Sequence, residues 1–433
     1  MSGGFLDELS WRGQLHQASA DAALVEHLSA PPRVGYCGFD PSAESLTIGN
    51  FIPIKVLMHW QRCGHRPVVL MGGGTGLIGD PSGKDQERQL LSREQVEANV
   101  AGQRRIFERL LDFDATRPDG AVMVNNLDWL GELGYIQVLR DVGKHFSINA
   151  MLQRDSVRTR LENREQGISY TEFSYMILQA YDFLHLHRTM DCTVQLAGSD
   201  QYGNILSGID LIRREAGSGG EHPAFGITAP LVTHADGRKI GKTERGAVWL
   251  TADRTSPYAF YQYWINVDDA EVDQFLRWFT LLEREAIEET ITRHVAAPHE
   301  RCGQRRLAEE MTRLIHGNDE LQRAERATTA LFGGGDVREL DAGLLDQVVP
   351  ELPASDHAVG DLSGAGVALV ELLPRTSLAQ SKREAREFLG NNAVSVNGER
   401  AEPDRTLTSA DLLPGRTILL RRGKRKWHAT RWA

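Results

Sequence analysis

Short apolar runs alternate with helix-period patterns through the first two-thirds of this 433-residue chain, and this alternation is its strongest folding constraint. Runs too short for helices bury as strands, and strands separated by helices pair in parallel, so an α/β domain with a parallel sheet is expected. Residues 33–39 read as the first strand, ending in the turn Asp40-Pro41-Ser42. Residues 50–63 read as the helix that follows, with Pro53 in its first turn, where a missing N–H is tolerated. Residues 67–71 form a second strand that runs into Gly72-Gly73-Gly74-Thr75-Gly76. Ser92 and Gln95 make a capping box for a helix ending near Leu111, and 121–124 and 193–196 are further buried strands.

Beyond Pro257 the pattern becomes that of amphipathic helices, over 258–265, 270–279 and 302–316. Residues 350–366, rich in Pro, Gly, Ala and Asp, read as a linker. After it, 381–389 reads as a helix and Val394-Ser-Val-Asn-Gly as a strand entering a turn. The expected organisation is an α/β domain over 1–250, a helical domain over 251–349, the linker, and a small domain over 367–433.

The net charge of −10 is unevenly spread. Residues 375–433 hold 13 Lys and Arg against 6 Asp and Glu, a local +7, while the remainder carries −17. An acidic body with a basic C-terminal module suggests an enzyme carrying its own polyanion-binding piece; a solvated lysine- and arginine-rich tail is the plainer alternative. The hydrophobic fraction of 41% and charged fraction of 25% are those of a globular chain, and no run approaches the ~20 apolar residues of a membrane span. The N-terminus does not read as a secretory signal. Cys37, Cys63, Cys192 and Cys302 are scattered, without a Cys-x-x-Cys pair, as expected for reduced thiols in the cytoplasm and not for disulfides or a metal site.

Several polar segments stand where strands give way to helices. Thr47-Ile48-Gly49-Asn50 opens a helix, where backbone N–H groups and the dipole favour phosphate; simple capping by Thr and Asn remains the alternative. Asp80, before Pro81, is read as a strand-end carboxylate able to receive an ammonium group. Tyr175, Gln179 and Asp182 fall at i, i+4 and i+7 of one helix and share a face among apolar neighbours, which suits a small polar ligand. Gly198-Ser199-Asp200-Gln201 follows a strand and opens a helix, at the sheet edge where ligands gather. Lys239-Ile240-Gly241-Lys242-Thr243 reads as a mobile loop whose lysines can converge on a triphosphate. His185 and His187 have no acidic or cysteine partner at ligand spacing, so no metal is assigned to them.

In this order the segments resemble bacterial tyrosyl-tRNA synthetases of class I along essentially the whole chain. The resembling strings are Tyr36-Cys-Gly-Phe-Asp-Pro, Gly76-Leu-Ile-Gly-Asp-Pro-Ser-Gly, Gly143-Lys-His-Phe-Ser, Phe173-Ser-Tyr-Met-Ile-Leu-Gln-Ala-Tyr-Asp, Gly198-Ser-Asp-Gln-Tyr-Gly-Asn, Lys239-Ile-Gly-Lys-Thr, Thr255-Ser-Pro-Tyr and Ser381-Lys-Arg-Glu-Ala-Arg. The resemblance implies a Rossmann-like catalytic domain, an α-helical anticodon-arm domain and an α+β S4-type RNA-binding domain. It implies a cytoplasmic homodimer with no membrane segment, using L-tyrosine, tRNA-Tyr and ATP with Mg2+, and no bound cofactor. It places Tyr36 and Asp182 at the substrate phenol, Tyr175, Gln179 and Asp80 at the α-ammonium, and Gln201 near the carboxylate. Cys37, Gly38, Asp40, Ser42, Gly198 and Asp200 fall around the nucleotide. Thr47, Gly49, Asn50, Lys239, Lys242 and Thr243 face the phosphates, and Lys84 and Arg88 match positions that hold pyrophosphate.

Three positions depart from the family pattern. Thr-Ile-Gly-Asn replaces the usual His-Ile-Gly-His, Ser42 stands where Thr is common, and Tyr202 where Trp is common. Thr-Ile-Gly-Asn resembles a version used by the tryptophanyl-tRNA synthetases, and Thr and Asn retain neutral donors for phosphate oxygens. The resemblance therefore implies a tyrosine–tRNA ligase. The alternatives are a paralogue that activates tyrosine or an analogue outside bulk translation, and a non-catalytic RNA-binding protein.

Overall fold

The structure is a computed structural model describing residues 4–80, 91–154, 157–158, 161, 168–217, 222–233, 240–243 and 246–433. The chain forms two compact units, Met1–Arg254 with Asp268–Gly303, and Thr255–Val267 with Gln304–Ala433.

The first unit is built on six strands, β1 (Gln17–Ala18), β2 (Val34–Phe39), β3 (Arg66–Met71), β4 (Val122–Asn125), β5 (Cys192–Gly198) and β6 (Phe225–Ala229), in the order β1-β6-β5-β2-β3-β4. All neighbours pair in parallel except β1, which closes the β6 edge antiparallel. The chain winds outward from β2 to β4, then returns to lay β5 on the other side of β2. The two directions of winding part between β2 and β5, where an open α/β sheet has its ligand crevice. Strand β6 was not foreseen, because Gly226 interrupts its short apolar run.

The helix Ile48–Arg62 follows β2 and is apolar almost all round, as a core helix must be. Pro53 is its sixth residue and so lies beyond the first turn, contrary to expectation. There it removes the N–H that would bond the Gly49 carbonyl. The helix Arg93–Leu110 starts at the expected Ser92–Gln95 capping box. On the opposite face, the helices Tyr170–Met190 and Tyr202–Ala216 bury Phe183, Leu184, Leu211 and Ile212 against Tyr36, Val68 and Leu70.

The segment Asp268–Gly303 belongs with this sheet and not with the helical domain to which 251–349 was assigned. The reason is polar. The helix Val272–Phe279 ends with unpaired carbonyls, and cations from elsewhere satisfy them. Arg12 donates to the carbonyls of Arg277 (3.0 Å), Thr280 (3.1 Å) and Leu282 (2.6 Å) while Nε holds Glu8 at 2.6 Å. Buried Lys55 donates to the Arg277 carbonyl at 2.6 Å.

In the second unit the helices Pro257–Ile265, Cys302–His316, Asn318–Phe332 and Ala342–Val348 precede a five-stranded sheet. Two short hairpin strands of the first unit, β7 (Lys242–Thr243) and β8 (Gly246–Ala247), come earlier in the chain. The sheet uses β9 (Ala354–His357), β11 (Val394–Val396), β12 (Glu399–Arg400), β14 (Thr417–Arg422) and β15 (Lys426–Trp432), in the order β12-β11-β14-β15-β9; β10 (Val367–Ala368) pairs separately with β13 (Thr406–Leu407). The expected linker 350–366 therefore contains a sheet strand, β9, which runs parallel to β15. The predicted turn after β11 is a tight hairpin with Asn397 and Gly398 at φ 46° and 88°. Helices and sheet share one core: Leu331, Leu345 and Val348 pack with Leu419 and Trp427, and the Trp427 indole donates to the Leu331 carbonyl at 3.0 Å. The helix Lys382–Gly390 begins at Ser381, as read from the sequence.

Candidate active site

A cavity of about 300 Å³ opens at the carboxyl ends of β2 and β5, the point where the winding reverses. Tyr36, Cys37, Gly38, Asp40 and Ser42 reach it from β2 and the following turn, Gly198, Asp200 and Gln201 from the end of β5, and Gly49 and Asn50 from the start of the next helix. Tyr175, Gln179 and Asp182 enter together from one face of the helix Tyr170–Met190, as their spacing required. Asp80 also lines the cavity, although it stands nine residues past β3 and not at a strand end.

The floor is a buried polar cluster around Asp182. Its carboxylate accepts from Asn126 Nδ2 at 2.9 Å and from Trp129 Nε1 at 2.8 Å. Burial pushes its pKa up to about 7, against the lowering pull of those two donors. Tyr36 lies beside it with its phenol fully buried. Burial, then the neighbouring Asp182 charge, pushes that phenol well above its ordinary range. The Tyr36 hydroxyl and the Gln195 Oε1 are both buried without a hydrogen-bond partner among the described residues. Two unmet polar atoms in one cavity are a costly arrangement unless a ligand meets them.

Above the floor lies a run of carboxylates and amides. Gln201 Nε2 donates to Asp80 Oδ2 at 2.7 Å and to Asp200 Oδ2 at 3.0 Å. Asp40 accepts from Thr75 Oγ1 at 3.3 Å and from the Tyr175 hydroxyl at 3.5 Å. Gly72 gives these side chains room, since a Cβ would sit 2.7 Å from both Asp40 Oδ1 and Thr75 Oγ1 and force them to shift. Burial, with Asp200 nearby, raises the Cys37 thiol, so it stays protonated and unreactive at neutral pH. The described lining is acidic, which suits an ammonium-bearing ligand.

The two phosphate-reading segments come together in space. Thr47 caps the helix Ile48–Arg62, with Asn50 Oδ1 accepting from its backbone N–H at 3.0 Å and from its hydroxyl at 2.8 Å. The capping reading is therefore correct as far as it goes. It also commits the Asn50 oxygen and leaves Nδ2 as the end of the amide that can donate onward. The strand-like stretch 46–48 pairs with 248–250 through Ile48 N–H to Val248 O (3.0 Å) and Leu250 N–H to Leu46 O (2.8 Å). Val248 in turn bonds Gly241, whose φ of +79° demands glycine and whose Cβ position faces Ile48. Nearly two hundred residues apart in sequence, Gly49 and Ile240 are thus neighbours. Lys84, Arg88 and Lys239, and the side chains of Lys242 and Thr243, lie outside the described residues.

Sequence reasoning missed Thr75, Asn126, Trp129, Gln195 and Asn204. Asn126 had a usable signal, since it directly follows β4. His185 stacks on Trp129 at 4.3 Å and thus backs the Asp182 cluster.

Comparisons agree with this geometry. Residues 29–333 match the class I tRNA synthetases for tryptophan and tyrosine, and 347–430 match the C-terminal domain of tyrosine–tRNA ligases. The chain is 48% identical over 431 residues to the tyrosine–tRNA ligase of Bacillus caldotenax, covering 99% of both chains. It is 48% identical to that of Roseiflexus castenholzii, covering 98% of this chain and 99% of the other. Among solved structures, a C-terminally truncated mitochondrial tyrosyl-tRNA synthetase from Coccidioides posadasii superposes with a TM-score of 0.66 at 32% identity, over 75% of this chain and 91% of that one.

Proposed function

On the premise that this chain belongs to the class I tyrosyl-tRNA synthetases and ligates tyrosine to tRNA with ATP as co-substrate, we propose the following assignment of its site. The observation that carries it is the Tyr36 hydroxyl beside Asp182, without a partner among the described residues, a buried pair that a substrate phenol completes. Tyr175, Gln179 and Asp80 hold the α-ammonium, and Gln201 faces the carboxylate. Cys37, Gly38, Asp40, Ser42, Gly49, Gly198 and Asp200 frame the nucleotide. Thr47, Asn50, Lys239, Lys242 and Thr243 meet the phosphates, with Lys84 and Arg88 on the departing pyrophosphate.

The substrate carboxylate needs no general base. One of its oxygens attacks the α-phosphorus of ATP, the bond to the bridging oxygen breaks, and pyrophosphate leaves with the electron pair. The 3′-terminal ribose hydroxyl of tRNA then attacks the adenylate carbonyl and AMP departs. Both steps depend on in-line positioning and on donors aimed at the developing charge. Mg2+ would arrive on the triphosphate oxygens, its usual mode, and supply charge neutralisation there.

Native protein should catalyse tyrosine-dependent ATP–pyrophosphate exchange, and Lys242→Ala should lower its kcat at least ~10-fold, as loss of one charge-assisted phosphate contact implies. A native protein without exchange would sink the assignment, and an unimpaired Lys242→Ala would sink the role of the loop.

The enzyme is proposed to be a cytoplasmic homodimer. Tyr135, Ile136, Leu139, Ile148, Leu152 and Tyr170 are all exposed within 36 residues of chain, Ile136 to 74%. Such a concentration of exposed apolar side chains supports a covering partner. Light scattering should give twice 48.2 kDa for the native protein and a single mass for Ile136→Asp/Leu139→Asp; a native monomer would refute it. The helical segments and the basic C-terminal sheet, over residues assigned to 251–349 and 367–433, are proposed to hold tRNA.

A further inference from the structure

Asn204 stands outside the cavity lining, in the first turn of the helix Tyr202–Ala216, and is 7% exposed. Its amide nitrogen carries two protons, and both find acceptors: Nδ2 donates to Gln179 Oε1 at 2.9 Å and to Gln201 Oε1 at 3.0 Å. A glutamine amide is nearly symmetric in shape but opposite in chemistry at its two ends. Giving up the oxygen to one donor turns the nitrogen the other way. In Gln201 the nitrogen then reaches Asp80 and Asp200, at 2.7 Å and 3.0 Å. The reverse orientation would place Oε1 against two carboxylates.

We propose that Asn204 is a positioning residue for the amino-acid substrate. One proton to each glutamine oxygen fixes both amides at once. Gln201 then holds the Asp80 and Asp200 carboxylates through Nε2, fixing Asp80 for the α-ammonium, and Gln179 keeps a second oxygen lone pair for the same ammonium. The proposal rests on the reading of Gln179 and Gln201 as serving the polar end of tyrosine. Few side chains could take the place of Asn204. Aspartate has no proton to give when ionised, and serine has one for two acceptors.

Tyrosine-dependent ATP–pyrophosphate exchange tests this with Asn204→Asp, Asn204→Ser, Gln179→Leu and Gln201→Leu. Asn204→Asp should raise the KM for tyrosine roughly 10- to 100-fold, the span of one mis-set hydrogen bond to a charged group. Asn204→Ser should raise it less, and neither should move the KM for ATP or the unfolding midpoint. If Asn204→Asp keeps a native tyrosine KM while both glutamine variants are impaired, the role of Asn204 is wrong and the site assignment stands. Equal losses toward tyrosine and ATP, or a lowered unfolding midpoint in both Asn204 variants, would also refute positioning. Native tyrosine KM in both glutamine variants overturns the assignment beneath it.

Discussion

Asp182→Asn is expected to raise the KM for tyrosine by roughly 100-fold and to abolish the pH dependence of tyrosine binding near neutrality. Burial holds the Asp182 carboxyl up to about 7, so in the empty site it is partly protonated at physiological pH. A substrate phenol donates best to the ionised carboxylate, in a charge-assisted bond. Tyrosine binding therefore favours loss of that proton, and affinity should increase as pH rises through about 7. Below that pH, affinity should fall by up to about tenfold per pH unit, the limit for one linked proton. Free tyrosine contributes no titration of its own between pH 6 and 8. Asparagine cannot ionise, so its profile should be flat. Tyrosine dissociation constants measured from pH 5.5 to 8.5 decide the matter, and a flat native profile counts against it. Discrimination against phenylalanine should shrink in the same variant, because the unpaired buried acid no longer penalises a missing hydroxyl. The same raised pKa works against folding: the native state holds the Asp182 proton more tightly than the unfolded chain, so this group's contribution to stability declines as pH rises from about 4 toward 7.

Arg12→Met should produce the largest loss of stability of any single charge removal in the first unit. The Arg12 side chain is 1% exposed and Glu8 4%, and three carbonyls at the end of Val272–Phe279 share the guanidinium. Removing the cation leaves Glu8 buried with only Arg284, whose nearest nitrogen is 3.1 Å away, and leaves the Thr280 and Leu282 carbonyls without their cationic donor, while the Arg277 carbonyl keeps Lys55. Breaking a buried pair this way costs about 3–5 kcal/mol, which corresponds to a fall of roughly 6–20 °C in the midpoint of that unit's transition. Differential scanning calorimetry reads it directly, and a shift below ~2 °C would refute the clasp. Arg12→Lys should recover only part, since an ammonium lacks the planar fork that serves carboxylate and carbonyls together.

The legible parts of the site were those with local causes. Tyr175, Gln179 and Asp182 share a face because 3.6 residues make a turn, and the structure brings all three into the cavity. The Ser92–Gln95 box and the Asn397–Gly398 turn are written in four residues or fewer, and each formed where expected. Pro53 was misplaced because the helix begins at Ile48, and helix starts depend on contacts such as that between Ile48 and Val248. The stretch 350–366 was misread because a parallel edge strand needs a partner, β15, that lies seventy residues on. Asp268–Gly303 was assigned by its helical texture, while Arg12 and Lys55, more than two hundred residues away, decided where it packs.

What the sequence determined by itself is the family, the α/β class, and the residue types that can meet phenol, ammonium and phosphate. Those follow from periodicity and from ordered motifs, which survive being read along one dimension. Only the tertiary structure decided that Thr47–Asn50 and Ile240–Gly241 meet, that Asn126 and Trp129 hold Asp182, and that Asn204 sets two glutamines. Hydrogen bonds act over about 3 Å in space and are indifferent to distance along the chain.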